Sequence, residues 1–431
     1  MYSAVNTTRA AKKNGAHHSN ISVEPKFGSN KLAIALAVAV LSAWIMAARP
    51  ASAQTITDLY DQPEYGDPYG TGSLAKLVAD SAGNYYGTTN NGGIDEGSVF
   101  KVSPNGSGGW TGTTLYSFTG GADGGGPGYG ALIFDHSGNL YGATMAGGAN
   151  GYGTVFELSP VGSSWTETVL YSFTGGSYDS DPINGLIMDS SGNLYGTTWS
   201  STGAGGVFEL SLSGGVWTEQ IIYTYPQGTD AGLTMDPAGN IYGIGSVGDH
   251  PTVYELSQNL QGDWMPAVLY SFPAFKQGTG PEGTLALDKE GNIYGTTVGS
   301  GKLKSFGTVF ELRPPLTRTK GAEWRKKVLY AFKGYANGDG ANPFAGVTLD
   351  KDGDVFGTTL AGGQYSYGTV YELFNFLDGS YGEAILASVA AAGGINPYGG
   401  VILDSAGNVY GTTTYGGASN LGIVYEVTNN Q

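Results

Sequence analysis

The sequence predicts an all-β fold, a seven-bladed β-propeller of four-stranded antiparallel blades. Three observations predict it: a short motif that recurs seven times, four strand-like pieces in each repeat, and the phase at which the repeats begin and end. The motif reads DSSGNLYGTT at 189–198. Close copies are DSAGNYYGTT (80–89), DHSGNLYGAT (135–144), DPAGNIYGIG (236–245), DKEGNIYGTT (288–297), DKDGDVFGTT (350–359) and DSAGNVYGTT (404–413). Their shared glycine stands at 83, 138, 192, 239, 291, 353 and 407, a spacing of 47 to 62 residues. Self-similarity near this period points to propellers or stacked arrays.

In the third repeat the four pieces are GLIMD (185–189), NLYGTT (193–198), GVFELS (206–211) and WTEQIIYTY (217–225), here termed A to D. β-Branched and aromatic residues dominate them, and turn residues separate them. Between A and B the motif supplies Asp first and Gly fourth, the residues of a type I turn whose Asp side chain caps backbone N–H groups. That assigns one role to Asp80, Asp135, Asp189, Asp236, Asp288, Asp350 and Asp404.

Phase separates a ring from an open stack. TITDLYD (55–61) reads as a D strand, and the chain finishes on IVYEVTNNQ, a C strand with no D after it. The N-terminal strand is therefore expected to complete the last blade, which also removes a reactive sheet edge.

Composition agrees. Of 431 residues 74 are glycine, aromatics make up 12% and charged residues only 13%. Glycine averages about 7% elsewhere, and disorder needs low hydrophobicity with high charge. The first 53 residues differ. LAIALAVAVLSAWIMA (32–47) is uncharged, Arg9, Lys12, Lys13, Lys26 and Lys31 precede it, and Ala51-Ser52-Ala53 follows. These are the parts of a secretory signal, and the run is shorter than the ~20 residues of a membrane span. Residues 1–53 are read as a signal peptide cleaved after Ala53, with an uncleaved anchor as the alternative, and 54–431 as the propeller. Cleavage removes six of 20 basic residues and one of 36 acids, leaving 14 against 35, a balance of −21. Such a surface repels nucleic acid and anionic membranes. The expected setting is secreted, periplasmic or cell-surface, as a monomer, without insertion in a membrane after cleavage. With no cysteine, disulfides and thiolate chemistry are excluded.

G-N-L-Y-G-T-T, then G-G, G-T-V-F-E-L-S-P and V-L-Y-S-F-T-G-G resemble the GloVer tandem-repeat proteins of bacteria, over about residues 55–431. The resemblance implies an exported protein, with no activity attached. The A–B hairpin is also similar to those of NHL and sugar-lactonase propellers, but neither set of catalytic residues can be placed here.

Function on a rigid scaffold usually sits on long loops. In such blades the D–A and B–C loops share one face, and they are the long ones here. D–A loops supply Asp123, Tyr129, Tyr178, Asp179, Asp181, Asp339 and Asn342; B–C loops add Trp199, Asp249, His250, Tyr365 and Tyr415. Acids, amides and exposed aromatics suit a polysaccharide or protein ligand. The same Asp residues also read simply as the way the chain turns between blades. Trp110, Trp165, Trp217, Trp264 and Trp324 all open D strands and read as inter-blade packing; Trp199 alone departs from that pattern.

Catalytic signals are weak. His136 and His250 fall on opposite faces, and no nucleophile elbow is visible. Asp179 and Asp181 on one loop, or acids on neighbouring loops, could form the carboxylate pair, roughly 5–10 Å apart, that glycoside hydrolysis needs. Asp350, Asp352 and Asp354 alternate as in Ca²⁺ loops but lack the distal bidentate acid; no other cofactor is implied. Glu157, Glu209, Glu255, Glu311, Glu372 and Glu426 recur in strand C, with Lys101 in the first copy. As partly buried carboxylates they need partners, expected on the adjacent strand or blade, such as the Thr-Thr hydroxyls of strand B. Eleven basic residues cluster at 276–333: Lys276, Lys289, Lys302, Lys304, Arg313, Arg318, Lys320, Arg325, Lys326, Lys327 and Lys333. They read equally as a docking patch or as an edge strand kept soluble. The sequence thus favours a non-catalytic binding or surface-interaction protein over a carboxylate-dependent polysaccharide-active enzyme. N-terminal sequencing of the exported protein is expected to begin at Gln54; a start at Met1 would establish the anchor instead.

Overall fold

The structure is a computed structural model. It describes residues 56–61, 72–90, 96–200, 203–227, 231–273, 280–299, 306–315, 323–335, 338–376, 378–390 and 393–428. Residues 1–53, read from the sequence as a signal peptide, lie outside the described residues. Residues 53–431 form one compact unit, built of seven four-stranded antiparallel sheets. Among the described residues there is no α-helix. Blade three shows the pattern: Ile187–Met188, Leu194–Trp199, Gly205–Ser213 and Val216–Tyr225, paired in that order.

The A–B turn forms as its residues dictate. The Asp189 carboxylate accepts the backbone N–H of Ser191 (2.8 Å) and Asn193 (2.9 Å), then the Asn193 side-chain amide (2.9 Å) and the Tyr195 hydroxyl (3.1 Å). Gly192 donates back to the Asp189 carbonyl at 3.1 Å with φ 85°, a conformation that costs glycine nothing. Asp80, Asp135, Asp236, Asp288 and Asp404 repeat the backbone and tyrosine contacts.

Burial grades outward through each blade. Strand B is buried on both faces, as in Leu140–Thr144, which explains its near-continuous apolar and small residues. Strand D alternates exposed and half-buried residues. All seven C–D pairings carry a register shift, the kind of irregularity that sharpens strand twist.

Aromatic residues join the blades. At four junctions the last aromatic of the D segment meets the strand C ring of the next blade edge-on. Phe118 meets Phe156 at 5.0 Å, Phe173 meets Phe208 at 5.2 Å, Phe272 meets Phe310 at 5.3 Å and Phe332 meets Tyr371 at 5.1 Å. Each such pair adds roughly 0.5–1.5 kcal/mol beyond its buried area. Trp110, Trp165, Trp217, Trp264 and Trp324 all pack against inter-blade clusters. Nearer the axis, the first strand B threonine donates to a backbone carbonyl of the following blade: Thr296 to Ala345 (3.0 Å), Thr358 to Gly399 (3.1 Å) and Thr412 to Ala75 (3.2 Å).

The ring closes as the phase of the repeats predicts. Ile56–Asp61 pairs with Ile423–Val427 as the fourth strand of blade seven, in the register Ile56↔Val427, Thr57↔Glu426 and Tyr60↔Val424. Leu59, 7% exposed, then joins Leu77, Phe100 and Val102 of blade one and Tyr410 and Val424 of blade seven in one cluster. Deleting residues 1–61 leaves Ile423–Val427 as an open edge. The truncated protein is expected to lose its single cooperative melting transition and to self-associate. Leu59→Ala is expected to cost about 2–5 kcal/mol. A monomeric truncation with an unchanged calorimetric transition would overturn the closure argument.

Candidate functional site

Strand A of every blade faces the axis, and together these strands line a channel of about 580 Å³. Its wall is mostly small and aliphatic. At one end it is rimmed by Tyr129, Met145, Trp199, Phe344 and Tyr398. Tyr129, Phe344 and Tyr398 come from D–A connections and Met145 follows strand B directly, while Trp199, read from the sequence as a B–C loop residue, is the last residue of strand B and pairs with Gly205, so the rim lies on the face the loop lengths single out. Tyr398 stacks at a tilt on Phe344 (4.6 Å) and meets Tyr129 edge-on (6.5 Å). Tyr129 is 38% exposed and Trp199 42%, high values for large aromatic residues over a cavity. The Trp199 backbone is fixed by N–H donation to Ser180 and Asp181 carbonyls, both at 3.2 Å.

Of the ten ligand-binding candidates, Tyr129 and Trp199 are among the residues that line this channel. The other eight do not line it. Asp123 accepts the N–H of Thr119 (2.9 Å) and the Tyr116 hydroxyl (3.1 Å). Asp179 accepts Thr174 N–H (3.1 Å). Asp339, 6% exposed, accepts Lys333 N–H (2.7 Å) and the Tyr330 hydroxyl (3.0 Å). These three aspartates hold their own D–A loops closed. Asp181 takes a positive φ of 49°, and burial raises its pKa. Asp249 and His250 are exposed on a tight hairpin, with His250 Nδ1 2.9 Å from the Phe272 carbonyl. Tyr365 is exposed, and Tyr415 bridges Ile395 through its backbone.

The carboxylate pairs that do form were missed in the sequence. Glu167, Glu219 and Glu383 lie in D strands. Each faces the loop aspartate of the preceding blade: Asp123, Asp179 and Asp339. Burial first, and then the charge of that aspartate, pushes each glutamate up to about 7. One oxygen of each glutamate is buried without a hydrogen-bond partner. The signal was present as W-T-E at 165–167 and 217–219 and Y-G-E at 381–383, four residues before the D-strand position of Tyr171, Tyr223 and Ala387. In blade five the same place holds Lys326, whose ammonium lies 4.6 Å over the Phe272 ring.

Three strand C glutamates find partners on the adjacent strand, as expected, but the donor is the strand B tyrosine and not its threonines. Tyr195 donates to Glu209 (3.1 Å), Tyr242 to Glu255 (3.1 Å) and Tyr410 to Glu426 (3.0 Å). The register explains it: Tyr195 stands directly opposite Glu209. The second threonine instead pairs with the strand C hydroxyl nearer the rim, as Thr144 does with Thr154 at 2.9 Å. Trp264 of blade four adds an indole N–H to Glu209 at 3.0 Å. Glu311 is held by Arg313 through two contacts of 2.7 and 3.0 Å.

Lys276, Lys302, Lys304, Arg318 and Lys320 of the basic cluster lie outside the described residues. Of the rest, Arg313 is committed to Glu311, Lys327 to the Gly379 carbonyl and the Tyr381 ring, and Lys333 to the Tyr330 ring. At the calcium candidate, Asp350 accepts the N–H groups of Asp352 and Asp354, both at 2.9 Å, and Asp354 accepts Asn375 N–H at 2.6 Å. Among the described residues no group of three or more His, Asp or Glu side chains is placed to hold a metal ion.

Fold and site together define a seven-bladed repeat propeller with an aromatic-rimmed axial channel. The chain belongs to the Gloeobacter/Verrucomicrobia repeat family, whose model matches residues 50–250 and 232–431. No curated protein matches it. Among solved structures, an ancestral GH74 enzyme aligns with a TM-score of 0.52 at 11% identity, over 84% of this chain and 48% of its own. A candidate 6-phosphogluconolactonase of Bacteroides uniformis aligns with a TM-score of 0.48 at 15% identity, over 77% and 88%. PorZ of Porphyromonas gingivalis, a surface component of the type-IX secretion system, gives 0.42 at 16%, over 76% and 43%. At such identities the likeness concerns the fold alone.

The three glutamates generate a pH prediction. Each holds its proton more tightly folded than unfolded, so its contribution to stability is complete below about pH 4.5 and is lost as pH rises to about 7. Replacing all three by Gln is expected to raise the melting temperature at about pH 8 and to leave it nearly unchanged at about pH 4.5. An equal change at both pH values would show that these carboxyls titrate normally.

Proposed function

We propose that the protein is an exported, non-catalytic binding module that takes a glycan at the channel mouth. The observation that carries this is the pair of exposed aromatic residues, Tyr129 and Trp199, over one cavity whose rim also holds Phe344 and Tyr398. Aromatic faces with an apolar body and a polar tip suit sugar rings, and a concave, largely preformed site limits the entropy lost on binding. Export rests on the N-terminal segment, and a role at or beyond the cell surface follows from it.

The second reading, a glycoside hydrolase or lyase, draws on the three Asp–Glu pairs, since acid catalysis uses a carboxyl kept protonated near neutrality. It is the weaker reading. Each aspartate is occupied in closing its loop, and the pairs repeat along the ring without one being set apart.

Affinity electrophoresis of residues 54–431 through gels containing different polysaccharides separates the two. Retardation in at least one gel, lost in Trp199→Ala and reduced in Tyr129→Ala, is the expected result. Shortened chains left in the gel would favour the enzyme, and free migration in every gel would turn attention to protein ligands.

A further inference from the structure

The seven A strands enter the channel in matching register. The buried residues Leu77, Leu132, Leu186, Leu233, Leu285, Val347 and Val401 mark one level of the ring. The residue before each of them faces the axis. In six blades it is small: Ala131, Gly185, Gly232, Thr284, Gly346 and Gly400. In blade one it is Lys76. Space is short at this level. A side chain at Gly346 would come within 2.1 Å of the Thr284 carbonyl, and one at Gly185 within 2.7 Å of the Ala131 carbonyl. Six blades thus carry glycine, alanine or threonine where the remaining one projects a cation.

Lys76 reaches past Gly400, and its ammonium donates to Thr348 Oγ1 of blade six at 2.9 Å. Thr348 in turn donates to the Val401 carbonyl. An ammonium has three donors, and this contact uses one. No Asp or Glu side chain is among the residues lining the cavity; Glu282, two residues above Thr284, is not one of them. The other titratable groups that face the channel are Tyr129 and Tyr398. With no acid beside it, burial lowers the Lys76 pKa to about 8. A cation without a counter-charge, in the axis of a strongly acidic protein, is a place for an anion.

The chemical class of that anion follows from what lines the same cavity. Tyr129, Phe344 and Tyr398 stand two residues before Ala131, Gly346 and Gly400 and line the cavity together with Lys76, so aromatic faces and an ammonium are offered to one small ligand, as a sugar ring bearing a carboxylate requires. We propose that the channel is a receptor for a hexuronate, its ring held among the mouth aromatics and its carboxylate on the Lys76 ammonium. The proposal deepens the glycan-binding reading and rests on it. It predicts selectivity for acidic over neutral sugars, set by one residue of blade one.

Titration calorimetry with D-glucuronate, D-galacturonate, D-glucose and inorganic phosphate tests it, using wild type, Lys76→Met and Lys76→Arg. A hexuronate is expected to bind the wild type at about pH 7 at least tenfold more tightly than glucose, the worth of one charge-assisted hydrogen bond. Lys76→Met should abolish that preference, Lys76→Arg should retain part of it, and raising the pH to about 9.5 should weaken wild-type binding similarly. If Lys76→Met does not fold, the Lys76 ¹³Cε resonance of the wild type should shift on adding the hexuronate. Uronate affinity unchanged by Lys76→Met, phosphate binding as tightly as the uronates, or an unmoved lysine resonance would each overturn the assignment. If neutral polysaccharides still retard the protein through Trp199 while the uronates show no preference, the acidic-sugar inference fails and the glycan-binding reading stands. Loss of both would remove the two together.

Discussion

The pairing of Ile56–Asp61 with Ile423–Val427 is the one contact that no repeat can make for itself. Every other blade assembles from residues adjacent in sequence, and its hairpins need only local turn chemistry. Blade seven needs a strand from the far end of the chain. Once that strand is in place, Leu59 and Tyr60 enter the cluster between blades seven and one. The channel depends on this. Its wall is seven A strands held at a fixed radius, and an opened ring would have no common level at which Lys76 and Thr348 could meet.

Local capping supplies the rest of the order. An aspartate such as Asp189 accepts two backbone N–H groups and orients its tyrosine, and in three blades that tyrosine hydroxyl also reaches a strand C glutamate. One polar chain thereby runs from the turn into the middle of the sheet. Buried polar atoms are costly unless satisfied, and this arrangement satisfies them with the residues that define the motif. The same accounting leaves Glu167, Glu219 and Glu383 exceptional, since each keeps an unpaired oxygen beside a second carboxylate.

Much of this was legible in the sequence. Seven copies of one motif gave the number of blades, and D-G-N spacing gave the turn. TITDLYD at the start gave the closure, and the tryptophan positions gave the inter-blade packing. What escaped depended on which residues the ring brings together across blades. That Glu209 has its partner on the adjacent strand is readable from its burial, but which residue of that strand it meets is set by the cross-strand register, which places Tyr195 opposite. Asp179 and Glu219 lie 40 residues apart, and only the stacking of successive D strands makes them neighbours. Lys76 sits in a stretch that reads as an ordinary strand. Its singularity shows only when the seven A strands are laid side by side and the other six prove small.

The closing pair also sets a sequence in time. Thr57 and Glu426 face each other although 369 positions separate them, and the ribosome makes the first long before the second. Contacts over such separations form slowly and leave intermediates with exposed strand edges. Until the last repeat is synthesised, the first strand has no partner and the last blade does not exist. The polypeptide is therefore held short of its final shape for nearly the whole of its production.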